Sequence, residues 1–179
     1  MTPRKTSRKL KILLISAGGV IIAAMVLAVV IPLLAGFGSS NIINSEGVFI
    51  KTSSKKWVRV KLNDKPWIPT DNKTYIVYFK NIASKECYNF DTIYSDFVKD
   101  YMSKDNFTPV QIICTWYPQQ CGDPTAIASF EAYRVPYTPF LVIISDLKII
   151  YYGPPPMNLT KLQELFEYAM ARLHNVTSG

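Results

Sequence analysis

From Ile12 to Ala35 the chain runs 24 residues without a charge and with almost no polar group. As a helix rising about 1.5 Å per residue, this stretch spans about 36 Å, enough to cross a hydrocarbon layer about 30 Å thick with some tilt. A secretory signal peptide has a shorter apolar core, roughly 7–15 residues. An uncleaved anchor is therefore expected, although Ala35-Gly36-Phe37-Gly38-Ser39 offers small residues to a peptidase. Arg4, Lys5, Arg8, Lys9 and Lys11 precede the run, with no acid among them. Positive flanks stay on the cytoplasmic side. The expectation is a cytoplasmic basic tail at 1–11, a transmembrane helix at 12–35, a tether at 36–47 and an extracytoplasmic remainder. The lipid bilayer is then one partner.

This placement accounts for the charge. The 179 residues carry a net +7, yet beyond residue 40 fifteen Lys and Arg face thirteen Asp and Glu, a balance of +2. A nearly neutral domain lacks the basic footprint of a nucleic-acid binder, so no nucleic-acid partner is expected. Glycosylation sequons at Asn72, Asn106, Asn158 and Asn175 all fall in the outer portion, as a glycoprotein facing the exterior would have them. With 49% hydrophobic and 18% charged residues the composition is not that of a disordered chain. The stretch beyond the anchor is long enough for one domain with its own core.

The hydropathy pattern gives the order of elements. Val48-Phe-Ile-Lys51 and Trp57-Val-Arg-Val-Lys-Leu62 alternate apolar and polar residues around Ser53–Lys56, which reads as a hairpin. A loop covers Pro66–Lys73. Thr74–Phe79 and Pro109–Cys114 are continuous apolar runs, the pattern of strands covered on both faces. Between them Phe90, Ile93, Tyr94, Phe97, Val98 and Tyr101 recur at helical spacing. Ala126, Ile127, Phe130 and Tyr133 mark a short helix. Phe140–Ile144 and Ile149–Tyr152 form a strand pair around Ser145–Lys148. Leu159, Leu162, Leu165, Phe166, Ala169 and Leu173 make the stripe of a last helix. The fold class is α/β, with a central mixed sheet in the order β-α-β-α-β-β-α and extra N-terminal strands over 48–71. The two buried runs should be parallel, joined by right-handed crossovers, with helices on both faces and an antiparallel hairpin at one edge.

Two local sequences add to this order. Tyr133-Arg-Val135-Pro-Tyr-Thr138-Pro139-Phe140 leads into a buried strand, and Phe79-Lys-Asn-Ile-Ala-Ser84-Lys-Glu-Cys87 lies at a strand-to-helix junction. Over residues 72–174 the chain resembles the thioredoxin-like fold family. In that family an aromatic and an aliphatic residue precede a cis-proline, here Pro139 after Thr138. A Cys-x-x-Cys pair begins five residues after the strand-ending aromatic. Counting from Phe79 puts Ser84 at the first cysteine's place and Cys87 at the second's.

The resemblance implies a redox site with one half missing. The family's first cysteine is an exposed thiolate at a helix N-terminus, and the second resolves the mixed disulfide. Serine forms no disulfide, so exchange through the usual pair is unavailable. Cys87 is then either an inert residue filling the helix start or a thiol re-partnered with Cys114 or Cys121. Those two lie at the end of the neighbouring strand and on the loop that overhangs the same sheet edge, where open α/β sheets bind ligands. Three single disulfides are open: Cys114–Cys121, which closes the shortest loop and is preferred, Cys87–Cys114 and Cys87–Cys121. An exterior location favours a persistent disulfide.

The expected activity is thiol–disulfide handling of secreted or membrane proteins through Cys87 with Cys114 or Cys121. The alternative is a non-catalytic binding or chaperone-like module, or an accessory subunit of a membrane complex. Trp116, Tyr137 and Thr138 are the candidate substrate-binding residues beside Pro139. The lone His174, and cysteines without further ligands, exclude a zinc site. No phosphate loop or dinucleotide glycine motif is present, and no cofactor is expected.

Overall fold

The computed structural model describes residues 42–102 and 107–176, with side chains to Ala171. The basic tail and the anchor at 12–35 lie outside the described residues. Among the described residues no helix is long and apolar enough to cross a membrane.

The domain is a mixed α/β fold, with one six-stranded sheet and three helices. In chain order it comprises β1 (Gly47–Lys51), β2 (Trp57–Val60), β3 (Thr74–Asn81), α1 (Lys85–Tyr101), β4 (Phe107–Cys114), α2 (Pro124–Ala132), β5 (Phe140–Ser145), β6 (Lys148–Gly153) and α3 (Leu159–Val176). The strands lie in the order β2-β1-β4-β3-β5-β6. β3 and β4 pair in parallel, with Phe79 opposite Ile112 and Asn81 opposite Cys114. β5 pairs antiparallel with β3, and β6 antiparallel with β5. The β1–β2 hairpin joins the same sheet, β1 lying antiparallel along the outer side of β4. Pairing with β1 stops at Val110, which leaves Pro109 outside that ladder, where its missing N–H costs little.

Two cores sandwich the sheet, and strand periodicity assigns residues to them. Val77 and Phe79 of β3, Ile112 and Cys114 of β4, and Phe140 and Val142 of β5 face α2. Ile76 and Tyr78, with Leu141 and Ile143, face α1 and α3. β3 and β4 are buried along nearly their whole length because helices cover both sides. Edge strands β2 and β6 are largely exposed.

Local signals set the helix starts. The apolar stripe begins at Phe90, but α1 starts earlier, at Lys85, because Ser84 caps it. Asp123 caps α2, with Pro124 in its first turn, the residue pattern that favours helix initiation. The β5–β6 turn places Asp146 and Leu147 at φ 50° and 61°, as a two-residue primed turn requires.

Candidate functional site

The C-terminal ends of β3 and β4 bring most of the candidate residues together. The Asn81 N–H lies 3.4 Å from Cys87 Sγ, and its side-chain Oδ1 accepts the Tyr117 N–H at 2.9 Å. The Ile82 N–H donates to the Cys114 carbonyl, and the Ala83 N–H to that of Thr115. Asn81 thus ties the start of α1 to the loop beyond β4. On the other side of β3, the Thr138–Pro139 bond is cis and precedes Phe140, which pairs with Phe79.

Ser84 is 6% exposed and committed to structure. Its hydroxyl accepts the Cys87 N–H at 3.3 Å and donates to Glu86 Oε2 at 2.9 Å. Cys87 is a free thiol, 1% exposed. Beneath it lies a buried polar network. Lys80 Nζ pairs with Asp91 Oδ2 at 2.8 Å. The Tyr78 hydroxyl shares its proton between Asp91 Oδ1 at 3.1 Å and the Cys87 carbonyl at 3.2 Å. Burial, with the neighbouring Cys87 and Asp91, holds the Tyr78 phenol well above its ordinary range. A paired, hydrogen-bonded ion pair is the form in which two charges survive such burial.

Cys114 and Cys121 form the disulfide. Cys114 belongs to the core facing α2, whereas Cys87 sits on α1, against the opposite face. The sheet separates the free thiol from the disulfide. The pairings Cys87–Cys114 and Cys87–Cys121 are therefore not formed, although sequence alone leaves them open. The reason is parity: Cys114 shares the face of Ile112, and the helix that carries Cys87 covers the other one.

The loop closed by the disulfide is held firmly. Trp116 and Gln120 exchange backbone hydrogen bonds at 2.7 and 2.6 Å, and Tyr117–Pro118 is a second cis bond. The Tyr117 ring stacks on Phe130 at 4.5 Å. Glu46, just before β1, accepts the Thr115 N–H at 2.8 Å and the Gly122 N–H at 2.7 Å. Burial raises the Glu46 pKa, but hydrogen bonds from Thr115 and Gly122, with the charge of Arg59, outweigh it and hold the carboxyl below its ordinary value. Arg59 also pairs with Asp123, the cap of α2, at 2.7 Å.

Of the candidate binding residues, Trp116 is 44% and Tyr137 52% exposed. Thr138 and Pro139 are half-buried. Sequence reasoning missed Tyr88, exposed in the first turn of α1, along with Asn81, Glu46 and the Lys80–Asp91 pair. A lysine closing an otherwise apolar strand and an aspartate one residue after Phe90 were the available signal. Asn72 and Asn158 are exposed, and Asn158 Oδ1 accepts the Lys161 N–H. Asn106 and the side chains of Asn175 and His174 lie outside the described residues. Among the described residues no group of His, Cys, Asp or Glu could hold a metal ion.

No protein-family model matches this chain, and no curated protein matches it.

Proposed function

We propose that this domain is a thioredoxin-like fold which has lost dithiol exchange and serves as a binding module. The N-terminal run would anchor it to a membrane, with the domain outside the cytoplasm. The fold reading draws support from the β4-β3-β5-β6 order, the helices on both faces and the cis bond ahead of β5. The observation that carries the loss of exchange is the state of the Ser84–Cys87 pair. Ser84 is a helix cap, and the Cys87 thiol is buried on the face opposite the disulfide. Neither group offers a nucleophile to a protein substrate. Trp116, Tyr137 and Tyr88 remain exposed at this end of the sheet, and aromatic side chains with polar tips suit recognition of extended peptides.

A second reading keeps thiol exchange but moves it to Cys114–Cys121. It is favoured by the half-buried position of Cys121 on the loop beside this edge.

Alkylation of the full chain, before and after unfolding, separates the readings. The binding module predicts that Cys87 reacts only after unfolding and that no mixed disulfide accumulates with an added peptide disulfide. Rapid native labelling of Cys87, or trapping of a mixed disulfide at it, overturns the proposal. A mixed disulfide at Cys121 instead establishes the second reading.

A further inference from the structure

On the face covered by α2, but toward the far end of β5, lies a cavity of about 420 Å³ that takes no part in the candidate site. This volume falls in the range of small-molecule pockets. Its walls include Ile68, Pro69, Ile144, Leu147, Ile149 and Tyr152. Ile68, Leu147 and Ile149 are each more than half exposed, so an unusual amount of apolar surface converges on one hollow.

The charge at the rim is specific. Arg134 lines the cavity and forms no ion pair among the described residues. Glu131, one turn earlier, makes no ion pair with it among the described residues. Asp146 and Lys148 flank Leu147 in the turn and offset each other. Tyr133, another wall residue, has a buried hydroxyl with no hydrogen-bond partner.

Backbone conformation marks the same rim. Arg134 and Leu147 hold φ of 50° and 61°. The left-handed region costs a residue with a Cβ roughly 1–2 kcal/mol, and glycine or asparagine usually takes such positions. Leu147 projects into solvent rather than filling the core, so packing does not explain its choice. The Tyr152 hydroxyl pins the Arg134 segment through the Tyr133 and Arg134 carbonyls at 2.9 and 2.7 Å. Both φ values have local causes, the primed turn at Leu147 and the left-handed residue that ends α2 at Arg134, and together they fix the shape of the rim.

We infer that this cavity binds a single-chain amphipathic carboxylate, a fatty acid in chemical class. The acyl chain lies along Ile144, Leu147 and Ile149, and the carboxylate meets Arg134. The mostly apolar walls favour a hydrocarbon chain, and the Arg134 guanidinium, which forms no ion pair among the described residues, suits one anionic head.

The test uses the full chain reconstituted in lipid nanodiscs. A long-chain fatty acid bearing a diazirine is photolysed, and adducts are mapped by peptide mass spectrometry. Adducts on the peptides carrying Ile68 or Leu147–Ile149 are expected, displaced by excess laurate. Arg134→Gln should cut labelling by the acid about tenfold, the equivalent of about 1.4 kcal/mol. Labelling by the matching diazirine alcohol should not change with that substitution. Leu147→Asp suits the turn backbone, and it should abolish labelling of β6 while the thermal midpoint is kept. Adducts confined to residues 12–35, acid labelling indifferent to Arg134→Gln, or labelling that persists in folded Leu147→Asp each overturn the inference.

Discussion

The two faces of one sheet treat their polar groups differently. Against α1, Lys80, Asp91, Tyr78 and Cys87 are buried and matched to one another. Against α2, Ser129 and Thr125 are buried and hydrogen-bonded as well, but further polar groups sit at the margin, in the Glu46-clamped disulfide loop and at Arg134, which forms no ion pair among the described residues. The first face ties Lys80, Asp91, Tyr78 and Cys87 into one buried network. The second is rigid beneath and open above. A cysteine at a helix start must therefore be judged by its surroundings. Here Ser84 caps the helix, and the Cys87 thiol is buried above an ion pair.

The contrast breaks most sharply at Asp91. Asp91→Ala leaves Lys80 buried without its counter-charge and should cost about 3–5 kcal/mol. Arg59→Ala, on the other face, removes a pair whose arginine is 43% exposed, and should cost about 1 kcal/mol or less. Denaturant unfolding of both variants checks this, and equal losses would remove the distinction between the faces. Next comes the disulfide. Cys114→Ser with Cys121→Ser should lose about 2.5 kcal/mol by the chain-entropy relation for so short a loop. It should also raise amide exchange at Trp116 and Gln120 while leaving α1 protected.

Smaller effects sharpen the contrast at the junction. Ser84→Ala removes the cap of α1 and should cost about 1 kcal/mol, measured by thermal unfolding. Ser84→Cys asks whether one atom separates this site from dithiol chemistry. Exchange with a peptide disulfide that appears only in this variant would show that the remaining surroundings still support it. The smallest effect is acidic. Because the folded pKa of Glu46 lies below its ordinary value of 4.5, its contribution is complete above that value and is lost as pH falls through the folded one. Partial exposure of this carboxylate to solvent keeps the effect below about 1 kcal/mol. Faster amide exchange at Thr115 and Gly122 in acid, reproduced at neutral pH by Glu46→Gln, is the expected result.

The element order was legible because period and burial write themselves into a chain. Largely apolar runs of strand length at Thr74–Phe79 and Pro109–Cys114 read as strands covered on both faces, and the stripe from Phe90 to Tyr101 reads as a helix laid on a core. The shortest disulfide loop was the preferred pairing for a similar local reason. The N-terminal hairpin was legible as a hairpin, but not as an antiparallel addition to β4, since nothing in Val48–Leu62 names its neighbour.

What tertiary structure alone decided is which side each residue faces and what it meets there. Sequence places Ser84, Cys87, Cys114 and Cys121 near one edge. Only the sheet puts the free thiol and the disulfide on opposite sides of it. Lys80 and Asp91 are eleven residues apart and read as ordinary surface charges until α1 folds back over β3. Arg134 and Leu147 acquire a common role only when the turn after β5 comes beside the end of α2. Local periodicity is carried by neighbours in sequence, and so it can be read from them. Pairing across a sheet is carried by residues distant in the chain, and only the folded molecule brings them together.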